Sequence, residues 1–134
     1  MQTIYIDTSK SPRTSLIRSL DSTTPAQMLD VVSGDVMPLT IRFSDSTVVS
    51  SSVTQLTASI GLYSGGTYCS SSNWFLSSSW GVTGSIFLSS SALNSALGSS
   101  ESVTATFTVK VSDRRYGSVN TYLLTPITIW KNIA

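Results

Sequence analysis

The side chains able to do chemistry in this chain are seven carboxylates, eight lysines and arginines, one cysteine and many serines; there is no histidine. Without an imidazole, the usual general base, the commonest metal ligand and every Ser-His triad are missing. The carboxylates are scattered, with neither the spacing of a metal site nor an evident acid pair. A glycosidase-like couple of Asp35 with Asp45 or Asp113 would depend wholly on how the chain folds. The serine runs "VVSSSV", "CSSSNW", "LSSSWG" and "FLSSSA" have no base to activate them and read as solvated loop and strand-edge residues. Cys69 stands in a Gly/Ser-rich stretch with no basic neighbour to lower its pKa, so a partly buried, unreactive thiol is expected. The expectation is no enzyme, with no catalytic residue, no cofactor and no metal site.

Binding chemistry is represented more strongly. Trp74 and Trp80, with Tyr63 and Tyr68, form a candidate platform for the apolar face of a sugar ring; the competing reading places them in the core or at a subunit contact. Arg114 and Arg115, in "DRR", are candidates for pairing with a partner carboxylate, against the simpler reading of an exposed turn. Lys10, Arg13 and Arg18 sit near aspartates and read as a solvated face rather than a phosphate site. A formal net charge of +1 gives no broad positive field, so nucleic acid is not an expected partner. Nor is a membrane, because no window of about 18 apolar residues occurs and the start of the chain lacks a signal-peptide pattern.

The elements that must position these residues are mostly strands. Charged residues are 11% of the chain, against a usual figure of about 25%, and serine alone is about a fifth, so polarity is carried by hydroxyls. One cysteine allows no internal disulfide, and 134 residues suffice for one domain held by its own core. Leu39, Ile41 and Phe43 alternate with Thr40, Arg42 and Ser44, and Ala58, Ile60 and Leu62 repeat the pattern. The segment "SGGTYCSSSNWFLSSSWGVTGS" reads as a hairpin or long loop, followed by a strand with Val82, Ile86 and Leu88. In "SSSALNSALGSS" a serine can cap a short helix, over about 91–97, Leu93 and Leu97 share one face, and Gly98 can end it. Val103, Ala105, Phe107, Val109 and Val111 then alternate with polar residues, "SDRRYGSVN" turns the chain, and the returning strand carries Pro126, a mark of an edge or bulge.

These readings give an all-β, Ig-like antiparallel sandwich of about six to seven strands with one short helix. Residues 1–33 stand apart as an extended N-terminal arm, with one helical turn expected after Pro25, capped by Thr24, and residues 34–134 as the sandwich domain. The arm's Ile4, Tyr5, Ile6, Leu16, Ile17 and Leu20 are too scattered for a core of their own and are expected to pack on the domain or on a neighbouring subunit.

The stretches "GDVMPLTIRF", "LTASIGLYSGG", "GVTGSIFLSSSALNSALGSSESVTATFTVKVSD" and "YLLTPITIWKNI" together resemble the Ig-like domain of small virion proteins of tailed bacteriophages, similar to the N-terminal domain of siphophage upper baseplate proteins. The likeness spans residues 34–133. It implies a non-enzymatic structural component of a virion, made in the host cytoplasm, that joins parts of a tail, baseplate or fibre and assembles through the arm. Its implied partners are other virion proteins and copies of itself, commonly as a trimer. The alternatives are a capsid decoration protein and a carbohydrate-binding receptor-recognition module, the latter with a glycan as ligand.

Overall fold

A computed structural model describes residues 2–18, 24, 26–44, 56–61, 66–71, 74–78, 81–113 and 118–132. They form an all-β sandwich with one short helix. The strands are β1 (Gln2–Ile6), β2 (Leu16–Ile17), β3 (Val31–Val32), β4 (Val36–Phe43), β5 (Leu56–Gly61), β6 (Thr67–Ser71), β7 (Phe75–Ser78), β8 (Gly81–Phe87), β9 (Ser102–Asp113) and β10 (Ser118–Trp130). One sheet has the order β2-β1-β4-β8-β7 and the other β3-β10-β9-β5-β6. Ten strands rather than six or seven arise because the N-terminal segment supplies β1 to β3 and the Gly/Ser-rich stretch supplies β6 and β7. Most pairs are antiparallel; β1 with β4 and β3 with β10 are parallel.

Period-two alternation builds the core. Met37, Leu39, Ile41 and Phe43 of β4 face Ala105, Phe107, Val109 and Val111 of β9 and Leu123, Ile127 and Ile129 of β10 from opposite sheets, and all are buried. Phe43 meets Tyr122 across the sandwich edge-to-face, with centroids 5.9 Å apart and planes at 77°. The helix α1 (Ser91–Leu97) forms where the sequence places its caps: the Leu93 amide donates to the Ser90 hydroxyl at 3.0 Å, and Gly98, at φ 44°, ends it. Its buried Leu93 and Leu97 close one end of the sandwich between β8 and β9. We call this the lower end; the turn Ser33–Asp35, the start of β4 and the end of β10 lie there too, joined by Gly34 N–H to Leu88 O (2.7 Å) and Asn132 N–H to the Ser33 hydroxyl (3.1 Å).

Of the two alternatives for the apolar residues of the N-terminal segment, the domain or a neighbouring subunit, the described ones take the first. β1 lies inside its sheet, bonded to β4 from Gln2 opposite Leu39 to Ile6 opposite Phe43. Ile4, Ile6, Leu16 and Ile17 are 0–6% exposed, so they belong to the chain's own core and are not available as a subunit contact. Alternation explains the choice: Ile4 and Ile6 point inward while Thr3 and Tyr5 point out, which is what a strand inside a half-buried sheet requires. Among the described residues no helix follows Thr24; Ala26 instead donates its amide to Leu16 O at 3.1 Å.

The loop after β1 also fastens the opposite sheet. At β10 the register slips between Thr121 and Leu123, leaving Tyr122 as the extra residue of a bulge. The buried Ser15 hydroxyl donates to the Tyr122 carbonyl at 2.6 Å, and the Leu124 amide donates to Pro12 O at 2.9 Å. A carbonyl removed from its ladder by the bulge is thereby satisfied from the first 15 residues.

Candidate functional site

Large apolar side chains left in solvent mark one region. Leu29 is 65% exposed, Phe87 60%, Val36 58% and Trp130 42%, and these are the large exposed hydrophobics among the described residues. All four lie at or beside the lower end. Val36 and Phe87 are cross-strand partners on β4 and β8, and Trp130 is in register with Val32 on β10 and β3. Leu29 shares a groove with Val32, Asp35, Val36 and Pro38. The Trp130 indole N–H donates to the Asp30 carboxylate at 2.9 Å, which fixes the ring beside that groove. A second hollow runs from Val32 and Trp130 to Ser99, Ser100 and Glu101 below the helix. Single exposed apolar residues are ordinary on protein surfaces; here Leu29 and Val36 share one groove, Phe87 lies opposite Val36 on the same sheet, and Trp130 stands on the other sheet at the same end, which makes this end the candidate contact surface.

The backbone explains why these side chains point outward. Gly34, at φ 89°, lets the chain reverse within Ser33–Asp35, so that β3 of one sheet leads directly to β4 of the other. Within β4 the inward positions are Met37 and Leu39, which forces Val36 out; within β8 they are Val82 and Ile86, which forces Phe87 out. Lys131 donates to the Gly98 carbonyl at 2.7 Å and so caps the helix end, while Asp30, Asp35 and Glu101 leave the rim acidic.

Two stretches of strand edge, by contrast, carry a proline where an amide would face outward. The Leu124 amide points away from β9, so by alternation position 126 also faces outward, and there Pro126 has no amide to offer. The Asp35 carbonyl accepts from Leu88 of the β8 side, so Val36 and Pro38 face away from β8, along a stretch of β4 that β1 does not reach. Pro38 blunts that edge in the same way. The expectation that Pro126 marks an edge agrees with this placement.

The candidate sites expected from sequence divide as follows. Trp74 is 2% exposed, its indole N–H donates to Ser71 O at 2.9 Å, and it fills the crossing from β6 in one sheet to β7 in the other. It is a core residue and offers no face to a sugar; Tyr68 is partly buried against the same core. Tyr63, Trp80, Leu20, Arg114 and Arg115 lie outside the described residues. Tyr5 is partly exposed on the outer face of its sheet, apart from the lower end. Cys69 is buried, and that burial pushes its thiol upward, only partly offset by hydrogen bonds from Ser90 and Ser89. Asp7 is held below its ordinary value, first by the side-chain hydrogen bond from Ser9 at 2.6 Å and then by the Ser9 amide. Among the described residues no three metal-ligating side chains converge, and no helix is long and apolar enough to cross a membrane.

The sequence reading did not single out Val36 or Phe87. A signal was present in the run Ile86-Phe87-Leu88: three successive apolar residues in a strand cannot all face inward. No protein-family model matches the chain, and a search of curated proteins finds no match.

Proposed function

We propose that this protein is a non-enzymatic structural component of a tailed-phage virion, an attachment part of a tail, baseplate or fibre. On this reading it meets its neighbours, other virion proteins and copies of itself, through the lower end of the sandwich. The observation that carries the proposal is the gathering of Leu29, Val36, Phe87 and Trp130 at that end. A side chain of this size is worth ~1.5–3 kcal/mol when fully covered, so four together suit a lasting contact better than a transient one. The blunted edges support the same reading, since they direct contact to a surface rather than to strand addition. The lack of histidine and the resemblance in Gly34–Phe43, Gly81–Asp113 and Tyr122–Ile133 support a building role over catalysis.

The test is proteomic analysis of purified particles from cells carrying the gene. Wild-type chain should be present in them, and the folded double variant Phe87→Asp/Trp130→Ala should be missing. Wild-type chain absent from purified particles would contradict the proposal.

A further inference from the structure

Trp130 lines the hollow below the helix together with Ser99, Ser100, Glu101, Lys131 and Asn132. The hollow measures about 670 Å³, within the ~300–1,000 Å³ usual for small-molecule sites. The tryptophan is held from several directions: its carbonyl accepts from the Ser33 amide at 2.9 Å, its indole N–H donates to Asp30 at 2.9 Å, and it stands in register between Val32 and Ser102. An exposed indole whose ring N–H is already bonded has an apolar face to offer. The backbone carrying the polar wall is fixed too. The Ser100 amide donates to Leu97 O at 2.6 Å, the Lys131 amide to Glu101 O at 2.8 Å and the Asn132 amide to the Ser33 hydroxyl at 3.1 Å. A wall held this way loses little freedom when a ligand settles on it.

We infer that this hollow binds a sugar, a neutral hexopyranose whose C–H face packs on the Trp130 indole and whose hydroxyls meet Glu101, Asn132, Ser99 and Ser100. The match is chemical. A pyranose combines an apolar face with a rim of hydroxyls that both donate and accept; a carboxylate accepts, an amide does both, and serine hydroxyls turn to suit. A cation would also suit an indole, but the charges here do not select one: Glu101 shares the wall with Lys131, whose ammonium donates to the Gly98 carbonyl at 2.7 Å. Asp30 lines the separate groove of Leu29 and Val36. The inference therefore goes beyond the proposed assembly role and does not depend on it.

The test titrates the full chain with methyl β-glucoside, methyl β-galactoside, methyl α-mannoside and N-acetylglucosamine, with choline as the cationic control, and follows the backbone amides and indole N–H resonances by NMR. At least one sugar should shift the Trp130 indole and the amides of Ser99, Ser100, Glu101 and Asn132 saturably, while the buried Trp74 indole stays in place. Melting curves establish that each variant is folded. Trp130→Ala should abolish the shifts, Trp130→Phe should keep part of the affinity, and Glu101→Gln should weaken binding about tenfold, as for one lost hydrogen bond to a charged group. Phe87→Ser should bind sugar as wild type does, which separates this site from the assembly surface. Four sugars that move none of these resonances, or shifts that survive in folded Trp130→Ala, would overturn the inference. Choline binding more tightly than every sugar would overturn it in favour of a cation site.

Discussion

The two ends of the sandwich handle apolar residues in opposite ways. Away from the lower end residues 2–17 fold onto the sandwich: Ile4 and Ile6 enter the core, and Ser15 and Pro12 satisfy the bulged strand opposite. At the lower end the connections are equally well bonded, through Gly34, Ser33 and Gly98, yet Leu29, Val36, Phe87 and Trp130 stay in solvent. Satisfied backbone with unsatisfied apolar surface distinguishes a contact region from a poorly folded one. Stability is therefore expected to reside in the N-terminal segment and assembly in the lower end.

The largest break of that distinction is deletion of residues 2–17. It removes an internal strand and the groups that cap the β10 bulge, and loss of the cooperative unfolding transition is expected; a folded remainder would make the segment an arm after all. Next comes Trp74→Ala, for which chemical denaturation should show a loss of about 3–5 kcal/mol, as for other buried tryptophans, whereas a near-neutral result would return this ring to the surface. Ser15→Ala removes one donor from the part-buried Tyr122 carbonyl, and a cost of about 1 kcal/mol is expected in the same assay. Phe87→Ser should change stability by no more than about 0.5 kcal/mol while weakening association, which sharpens the comparison from the other side.

The smallest effect concerns pH. The Asp7 pKa lies below its ordinary value of 3.8, so its contribution to stability is complete above that value and is lost as pH falls through the lower folded one. Asp7→Asn should remove this acid-limb dependence in a series of melting temperatures. An unchanged acid limb would assign the dependence to other carboxylates.

How much of this was legible in the sequence depended on range. β4, β9 and the helix were readable because their signals are local: alternation in Leu39–Phe43 and Val103–Val111, and the Ser90 to Gly98 caps. β1 was not readable as an internal strand, since its parallel pairing joins Ile4 to Ile41 across 37 positions and no local pattern encodes that register. For Trp74 the sequence left two readings, a sugar platform and a core or subunit contact, and the switch between sheets at β6 and β7 decides for the core. The lower-end surface was hidden because each of its residues belongs to a different element, and only the fold gathers them.

Hydrogen exchange followed residue by residue, in dilute and in concentrated protein, tests the account most directly. Amides of β1 should be as protected as those of β4 in both samples, and the gain in protection on concentration should include the lower end, from Leu29 to Val36 and around Phe87 and Trp130. Amides of β1 that exchange freely in dilute protein and become protected only on association would contradict it, because the N-terminal segment would then be the assembling arm.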